Sequence, residues 1–478
     1  MSSHKRVMPL SGFPEYLPAE RIIEKHVLDV IASTFELHGF LNIETRAVEP
    51  VERLLGKGGD ADKEIYGVTR LAADPADAEE SDPAKRLGLH FDLTVPFARY
   101  VLENAGKLTF PFRRYQIQKV WRGERPQDGR YREFVQADID VVGAGELPFH
   151  YEAELPLVIA DAFGKLPIGP FRIQVNNRKI PEGFYLGLGL AAEQVPAVLR
   201  IIDKLAKVGP AAVTEMLVEA GLTAEQAASC LALAQISSTD VSFVERVREL
   251  GVSHPTLDEG LSELAAVVES AAEHAPGLLA ADLSVARGLD YYTGTVYETQ
   301  LIGHESYGSI CSGGRYDSLV SDGRTTYPGV GISIGVSRLM AKLLADGRVQ
   351  VSRPTPTCVL VALGTDADRT RATGVARLLR SRGIATEIAP SAAKFGKQIR
   401  YADRRGIPYV WFLGDAAEPG AGPAPDSIKD IRSGEQVEAS AVSWQPPSED
   451  LRAMVRATDQ DAGDGAADAA ASSSAGRA

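Results

Sequence analysis

The chain has 478 residues, of which 44% are hydrophobic and 24% charged, so its composition is that of a soluble globular protein with roughly two to four domains. Its N-terminal residues lack the apolar run of a signal peptide, and no apolar stretch reaches membrane-spanning length, so we expect a cytoplasmic protein without a membrane partner. The formal net charge of −13 argues against tight, non-specific DNA binding, although a limited basic face could still meet one shaped RNA.

The three cysteines, Cys230, Cys311 and Cys358, are far apart and lack the paired spacing of metal ligands. Isolated cysteines of this kind are typically buried and reduced, which argues against a disulfide scaffold and a zinc site. None of the eight histidines belongs to a metal-like cluster. We therefore predict that no side-chain cluster of this chain holds a resident metal ion.

The N-terminal part of the chain alternates predicted helices and strands. Between Pro18 and Phe40 apolar residues recur every four positions, which predicts an amphipathic helix, and the residues after it read as a strand as far as Pro50. The acidic stretch 72–86 is short of apolar residues and predicts a surface loop. The elements predicted next are strands and loops at 90–143, a helix at 151–163 and a strand at 171–177.

The remainder of the chain predicts three further regions. Residues 178–282 are rich in Ala, Leu and Glu at helical spacing, which predicts a helical insertion, because strand signals resume directly after it. Beyond Arg353 strand and helix patterns alternate, which predicts a small α/β domain with a mostly parallel sheet at 355–446. The last residues, 447–478, are of low complexity and predict a disordered tail.

The segment from Trp121 to Asp140 is unusually dense in arginine. Its Pro-Gln-Asp-Gly centre breaks any regular element and predicts a hairpin-like loop between two strands. Arginines at the base of such a loop could meet phosphates, while Phe134 on the returning strand could stack on a base. The alternative is a solvated, arginine-rich hairpin, and the density of the cluster favours the nucleotide site over it.

The run from Arg287 to Glu298 places a cation, a carboxylate and two tyrosines around a glycine turn, next to a strand-like stretch. A planar, permanently charged guanidinium beside phenolic hydroxyls suits a site that holds a small zwitterion next to a phosphate. Tyr291 and Tyr292 are adjacent, so on a strand only one of them would face such a site.

This run resembles a motif that is characteristic of histidyl-tRNA synthetases, and further segments are similar to the same family in the expected order. These segments are Pro18–Pro50 (motif 1 of class II aminoacyl-tRNA synthetases), Leu89–Tyr100, Trp121–Asp140 (motif 2), Ser312–Leu319 and Gly331–Met340 (motif 3). The residues from 355 onward are similar to the anticodon-binding domain of the family. The resemblance covers nearly the whole chain, apart from the tail and, loosely, the helical insertion.

The resemblance implies the fold and the reaction. The fold would be a class II catalytic domain at 1–350, an antiparallel sheet flanked by helices with the helical insertion, followed by the α/β anticodon-binding domain. The activity would be that of a histidine–tRNA ligase, which joins ATP, L-histidine and tRNA(His) with the help of Mg²⁺. Members of the family are homodimers, and motif 1 forms their interface.

The resemblance also implies roles for single residues. Arg122 and Arg287 would be catalytic, because they place positive charge at the reacting phosphate. The histidine-binding residues would be Asp92, Thr94, Gln136, Asp140, Arg287, Tyr291 and Tyr292, and of the two tyrosines the family pattern favours Tyr292. The ATP-binding residues would be Arg122, Glu124, Phe134 and Arg338, and the contacts to the tRNA acceptor end would be Gln127 and Arg130.

The chemistry of imidazole explains the pair assigned to the ring. A neutral imidazole has one donor and one acceptor nitrogen, so a selective pocket must offer a partner to each. The carboxylate of Asp140 and the phenol of Tyr292 could supply those partners. Many bacterial members have Glu-Gly-Thr where this chain has Asp92-Leu93-Thr94, and Glu at the position of Asp140, so both carboxylates here are one methylene shorter.

A catalytically silent paralogue is the alternative, such as the regulatory subunit of ATP phosphoribosyltransferase or a histidine sensor. Such proteins need no anticodon domain and commonly lose the arginines that grip ATP. This chain keeps Arg122, Arg287 and Arg338, together with a complete C-terminal α/β region. The sequence therefore favours the ligase.

Overall fold

The computed structural model describes residues 7–55, 64–72, 85–286, 291–415 and 424–458. The strands in these ranges are β1 (Leu41–Asn42), β2 (Val48–Pro50), β3 (Gly67–Val68), β4 (Leu87–Leu89), β5 (Phe112–Trp121), β6 (Glu133–Val142), β7 (Phe171–Asn177), β8 (Ser237–Ser238), β9 (Leu279–Asp282), β10 (Thr295–Leu301), β11 (Cys311–Tyr316), β12 (Gly329–Gly335), β13 (Val349–Val351), β14 (Val359–Val361), β15 (Thr386–Ile388), β16 (Tyr409–Phe412), β17 (Ser427–Asp430), β18 (Gln436–Glu438) and β19 (Val455–Ala457).

The α-helices in the same ranges are α1 (Pro18–Leu37), α2 (Val51–Leu54), α3 (Thr94–Asn104), α4 (His150–Phe163), α5 (Lys179–Gly187), α6 (Val195–Ile202), α7 (Leu205–Glu219), α8 (Ala224–Ala234), α9 (Phe243–Arg248), α10 (Pro255–His274), α11 (Val336–Ala345), α12 (Arg369–Ser381) and α13 (Phe395–Arg405). None of these helices is both long enough and apolar enough to cross a lipid bilayer. The chain divides into two compact units. The first holds the residues up to Pro14 and Leu28–Leu343, and the second holds Glu15–Val27 and the residues from Leu344 onward.

A nine-stranded sheet forms the centre of the first unit, in the order β1-β5-β6-β12-β11-β10-β7-β9-β8. The neighbours from β5 through β7 in this order all run antiparallel, whereas β1 pairs with β5, and β9 with β7, in parallel. Strand β6 lies between β5 and β12, and helices α4 and α10 pack beside the sheet. The predicted antiparallel sheet flanked by helices is confirmed.

Strand β6 shows how the sequence divides the two faces of this sheet. Ala137, Ile139 and Val141 are fully buried, as expected for the apolar half of an alternating strand. The intervening residues, Gln136 and Asp138, belong to the opposite face, and they are also buried although they are polar. Polar side chains are rarely buried without a partner, so this face of β6 must meet other polar groups.

The predicted helical insertion at 178–282 is helical over most of its length, from α5 to α10, but its limits differ from the prediction. It contains β8 and it ends in β9, which joins the central sheet beside β7. Helix α10 packs against α4, β7 and β9. Strands of two to four residues are too short to show an alternating pattern, so the sequence did not reveal them.

The second unit contains a five-stranded sheet in the order β15-β14-β16-β17-β18. Strand β14 pairs in parallel with β15 and β16, while β17 is antiparallel to both β16 and β18. The α/β arrangement is as predicted, but only half of the sheet is parallel. Helices α12 and α13 bury Val375, Leu379 and Ala402 in the same core as Val359 and Trp411.

The sequence predicted a disordered tail from residue 447 onward, but this start is too early. Ser448–Asp450 forms a 3₁₀ turn, and β19 pairs with β13. The Asp450 carboxylate accepts a hydrogen bond from Tyr409 at 2.7 Å and forms an ion pair with Arg432 at 2.7 Å. Residues 459–478, and 73–84 of the acidic loop, lie outside the described residues.

Candidate active site

A cavity of about 950 Å³ lies on the polar face of β6 in the first unit. Its walls come from β6, β11, β12, the turn between β5 and β6, residues 291–292 and α6. The side chains predicted from the sequence that line it are Asp92, Thr94, Arg122, Glu124, Arg130, Phe134, Gln136, Tyr291, Tyr292 and Arg338. The structure therefore brings together side chains that are spread over most of the first unit.

Three predicted site residues are not among the described residues that line the cavity. Gln127 forms a bridge with Arg130 across the tip of the turn between β5 and β6 and is not part of the cavity wall. Arg287 lies outside the described residues, so its predicted role stays a prediction. Asp140, predicted to read the imidazole ring, is described but does not line the cavity either.

Asp140 is buried beneath the cavity in an ion pair. Its Oδ2 atom lies 2.6 Å from Nη2 of Arg114, and the Tyr316 hydroxyl donates to its Oδ1 at 2.7 Å. A Cβ atom on Gly331 would lie 2.1 Å from the same Oδ1, so the glycine makes room for this carboxylate. Each oxygen of Asp140 thus has one partner among the described residues, and its role as the ring-reading acid stays a prediction.

Asp138 is the carboxylate of β6 that the structure presents to the cavity, and the sequence analysis missed it. It is 2% exposed, and its Oδ1 has no hydrogen-bond partner among the described residues. Burial raises the pKa of Asp138 to about 7, against the lowering effect of Arg114. The available signal was the alternation of β6, which puts Asp138 on one face with Gln136 and Asp140.

Asp92 lies just before α3 and is almost fully buried. The backbone N–H of Val95 donates to its Oδ1 at 3.1 Å, and the Tyr291 hydroxyl lies 3.5 Å from its Oδ2. Burial raises the pKa of Asp92 to about 6, while Arg122 and Arg114 lower it. A small cation bound next to Asp92 would therefore stabilise the charged form of this carboxylate.

Tyr291 and Tyr292 both line the cavity, although the sequence analysis expected only one of them to face the site. They precede β10, which begins at Thr295, so the alternation of a strand does not apply to them. Their rings meet edge to face, with centroids 5.0 Å apart. Burial raises the pKa of both phenols, so both hydroxyls keep their proton. Each can therefore act as a hydrogen-bond donor.

Arg122 stands at the end of β5, beside an aromatic and an acidic side chain. Its Nε donates to the Phe91 carbonyl oxygen at 2.9 Å, and its guanidinium carbon lies 5.2 Å from the centre of the Phe134 ring. Glu124 approaches Arg122 at 3.9 Å and Arg130 at 3.6 Å. An aromatic face and a fixed guanidinium are the partners that a purine nucleotide requires.

Arg338, in the first turn of α11, packs on Tyr307. The guanidinium carbon lies 4.6 Å from the centre of the Tyr307 ring, and the Tyr307 hydroxyl donates to the Arg338 carbonyl oxygen at 2.8 Å. Gly129 meets the same tyrosine, because a Cβ on Gly129 would lie 2.0 Å from the hydroxyl oxygen. Tyr307 therefore contacts both the turn between β5 and β6 and the arginine of α11.

The helical segment after β7 also supplies side chains to the cavity, and the sequence analysis assigned none of them. With the predicted residues they give the cavity six basic side chains, which are Arg122, Arg130, Arg178, Arg200, Lys204 and Arg338. The described lining also holds five acidic side chains, Asp92, Glu124, Asp138, Asp203 and Glu298, so the cavity offers partners to both the anionic and the cationic groups of a ligand. Glu124 and Glu298 also line the cavity and offer the carboxylate oxygens that Mg²⁺ prefers.

Comparisons with known proteins match most of this chain. The family model described as histidyl-tRNA synthetase matches residues 12–339, and the model described as anticodon binding domain matches residues 357–440. The histidine–tRNA ligase of Micrococcus luteus is 61% identical over 457 residues, covering 94% of this chain and 98% of the relative. The corresponding ligase of Thermobifida fusca is 50% identical, covering 92% and 98% of the two chains.

Solved structures are also similar to this chain. The crystal structure of histidyl-tRNA synthetase from Nostoc sp. superposes with a TM-score of 0.77 at 38% identity, covering 91% of this chain and 97% of that chain. A structure from Bacillus halodurans, described as an ATP phosphoribosyltransferase regulatory subunit/histidyl-tRNA synthetase, has a TM-score of 0.67 at 18% identity, covering 83% of this chain and 96% of that chain. The second likeness concerns the fold alone.

Proposed function

The chain belongs to the histidyl-tRNA synthetase family and is a histidine–tRNA ligase, and we propose that its reaction takes place in the cavity on the polar face of β6. ATP and L-histidine would form histidyl-adenylate and pyrophosphate there, and the histidyl group would then pass to tRNA(His). The observation that carries the proposal is the convergence of Asp92, Arg122, Tyr292 and Arg338 on one cavity.

The nucleotide would lie along the basic part of this cavity. Adenylate formation is an attack of the histidine carboxylate on the α-phosphorus, which gathers negative charge. The guanidinium of Arg122, fixed by the Phe91 carbonyl, supplies preorganised positive charge at that point. Phe134 and Glu124 would hold the adenine, and Arg338 the far end of the triphosphate. No general base is required, because the attacking carboxylate is already ionised.

The α-ammonium group of histidine would bind at Asp92. This carboxylate is buried, its pKa is raised to about 6, and Thr94 and Gln136 line the same cavity. An ammonium ion there would offset the cost of keeping the carboxylate charged. Arg287 keeps the role implied by the family motif, a bridge between the substrate carboxylate and the α-phosphate, as a prediction from the sequence.

Mg²⁺, a homodimer and a cytoplasmic location complete the proposal. When bound, Mg²⁺ would neutralise the β- and γ-phosphates, and Glu298 is a cavity carboxylate that would help to hold it. The homodimer is supported by the likeness of Pro18–Pro50 to motif 1 and by Leu37 and Leu41 of this segment, which are 79% and 60% exposed. Cytoplasm is where tRNA and ATP are available together.

The tRNA would meet the two units at different points. Its acceptor end would reach the turn that carries Gln127 and Arg130, and its anticodon would bind the region matched at 357–440. We propose domain limits of 1–350 and 355–446, with the described residues to 458 added to the second. A chain cut after Arg353 should lose tRNA charging far more than adenylate formation, and equal losses would argue against an anticodon-binding role.

The silent-paralogue alternative is not favoured. The relatives that are 50–61% identical over nearly the whole chain are histidine–tRNA ligases. The arginines at 122 and 338 are retained and line the cavity, and the C-terminal region is present. A subunit that only binds histidine would not need side chains that grip a triphosphate.

Amino-acid-dependent exchange of pyrophosphate into ATP is the experiment that tests the proposal. With the twenty amino acids supplied one at a time, we expect exchange with histidine alone. Arg122→Ala should abolish most of it, with a loss of roughly a hundredfold or more, in the range of removed electrostatic donors. No exchange with any amino acid, or exchange that Arg122→Ala leaves intact, would contradict the proposed site.

A further inference from the structure

The turn between β5 and β6 is held by residues 10–13, near the start of the chain. The carbonyl oxygen of Gly12 accepts a hydrogen bond from the backbone N–H of Arg132 at 2.7 Å and a second from that of Glu133 at 3.1 Å. These two donors lie where the turn enters β6, far along the chain from Gly12. Hydrogen bonds are directional, so one carbonyl that accepts two backbone N–H groups fixes the position of both. Residues 10–13, the N-terminal segment, therefore hold the base of this turn.

Only glycine fits at position 12 of the N-terminal segment. Its φ angle is +84°, which lies in the left-handed region that favours glycine. A Cβ atom at this position would lie 2.9 Å from Cγ of Arg132 and 2.9 Å from Cγ of Pro126, and both of these atoms belong to the turn. A side chain on residue 12 would therefore push the turn and the segment apart. Such a movement breaks the two hydrogen bonds to the Gly12 carbonyl oxygen.

Arg132 connects Gly12 to residues that line the cavity. Its Nε donates to the Glu124 carbonyl oxygen at 3.2 Å, and its own carbonyl oxygen accepts from the backbone N–H of Arg122 at 2.9 Å. Glu124 and Arg122 line the cavity, whereas Arg132 and Gly12 are not among the described residues of its wall. The guanidinium of Arg122 has a separate support, because its Nε donates to the Phe91 carbonyl oxygen. A displacement of Arg132 would therefore move Glu124 more than the guanidinium of Arg122.

The N-terminal segment is itself anchored by residues 64–66. The ring of Phe13 meets the ring of Tyr66 edge to face, with centroids 6.5 Å apart, and the backbone N–H of Phe13 donates to the Leu10 carbonyl oxygen at 3.1 Å. Two residues before Tyr66, the Glu64 carbonyl oxygen accepts from the backbone N–H of Gly123 in the turn at 2.7 Å. Residues 64–66 thus contact both the segment and the turn, which fixes the position of one relative to the other.

Given the function proposed above, we propose that Gly12 is a positioning residue for ATP. Its carbonyl oxygen holds the turn between β5 and β6 so that Glu124 faces the nucleotide, and Gly12 itself contacts no substrate. Because the guanidinium of Arg122 is held independently, loss of this contact weakens ATP binding more than it slows the attack on the α-phosphorus. The residues proposed to bind histidine, such as Asp92 and Tyr292, belong to other elements, so histidine binding does not depend on Gly12.

The test compares Gly12→Ala with Gly323→Ala in histidine-dependent pyrophosphate exchange. Gly323 is exposed and has a φ angle of +83°, and no described atom lies within 4 Å of the position that its Cβ would take. The control therefore has the same backbone strain without the steric contact. Gly12→Ala should raise the KM for ATP by about five- to thirtyfold, which corresponds to the loss of one or two hydrogen bonds. The KM for histidine and kcat should stay within about threefold of wild type, and Gly323→Ala should change neither KM.

A second pair of variants tests the same contact without a side chain at position 12. Phe13→Ala removes the ring that packs on Tyr66 and leaves every residue of the turn in place. The KM for ATP should then rise by about three- to tenfold, in the range of a lost aromatic contact. Phe13→Tyr keeps the ring, so its KM for ATP should stay within about twofold of wild type. Should Gly12→Ala fail to fold, this pair decides the question.

The outcomes separate this inference from the function on which it rests. A wild-type protein without histidine-dependent exchange would refute the function itself. With an active wild type, the same KM for ATP in Gly12→Ala and Gly323→Ala, or in Phe13→Ala and Phe13→Tyr, would refute the positioning role alone. A lower Tm with an unchanged KM for ATP, or equal rises in the KM values for ATP and histidine, would show a merely structural role and would also overturn the inference.

Discussion

Nη2 of Arg114 and Oδ2 of Asp140 lie 2.6 Å apart, with side chains that are 0% and 3% exposed. The pair joins β5 to β6 at directly opposite positions of the sheet. The guanidinium also lies 4.2 Å from the centre of the Phe97 ring, so it is enclosed by an acid and an aromatic face. This buried pair holds Asp140 beneath the cavity that Asp138 lines.

Removing the cation of this pair should be strongly destabilising. Arg114→Met would leave Asp140 buried without its counter-charge, and we expect a loss of about 3–5 kcal/mol in the free energy of unfolding. Arg113→Met is the matched control on the same strand. It breaks a pair with Glu154 whose side chains are 22% and 32% exposed, and a hydrogen bond to the His38 carbonyl oxygen, and should cost about 1–2 kcal/mol. Urea denaturation of both variants checks this, and equal losses would show that burial of the pair is unimportant.

The charge of Asp138 should make stability depend on pH. Its pKa is about 7 in the folded protein and near 3.8 as the unperturbed value, so between these limits the folded state binds more protons than the unfolded state. Stability from this group is therefore full below pH 3.8 and is lost as pH rises through 7. The neighbours Asp92, Asp140 and Arg114 set this shift together with burial.

Asp138→Asn removes that titration, so the variant should be more stable than wild type at pH 8.5, by about 1–4 kcal/mol. The difference should shrink as pH falls below 7, because wild-type Asp138 then becomes neutral. Thermal unfolding of both proteins from pH 5 to pH 8.5 measures this. A constant difference in Tm across that range would mean that Asp138 is not buried as described.

The contact between Tyr307 and Arg338 should matter for ATP. Tyr307→Ala removes the ring that holds the guanidinium, and we expect kcat/KM for ATP to fall by about five- to thirtyfold. Tyr307→Phe keeps the ring and removes the hydroxyl that donates to the Arg338 carbonyl oxygen, so kcat/KM for ATP should stay within about threefold of wild type. If kcat/KM for ATP falls by the same factor in both variants, the hydroxyl rather than the ring positions Arg338.

The end of the C-terminal unit can be located by truncation. Deleting 448–478 removes β19 and Asp450, which holds both Arg432 and Tyr409, and should lower the Tm of this unit by several degrees. Deleting 459–478, which the sequence predicts to be disordered, should leave Tm unchanged. Equal Tm values for the two truncated chains would mean that the folded part of the C-terminal unit ends before residue 447, as the sequence predicted.

The sequence alone determined the larger features of this protein. The order of the motifs gave the family, and the four-residue period of the first helix and the alternation of β7 gave elements that the structure confirms within a few residues. Arg122, Phe134, Gln136 and Tyr292 were also placed in the site from the sequence, and all four line the cavity. Helix and strand patterns, and the motifs that indicate the site residues, can be read from the sequence because each involves residues that are close together in the chain.

Only the tertiary structure decided which acid of β6 meets the cavity. Asp138 and Asp140 are two residues apart on the same face, so no pattern within the strand distinguishes them. The choice was made by the register with β5 and β12, which sets Arg114 against Asp140 and Ser333 against Asp138. Those partners are remote in the chain. A buried carboxylate is stabilised by a nearby cation, and the contact between Arg114 and Asp140 is made only when the chain folds.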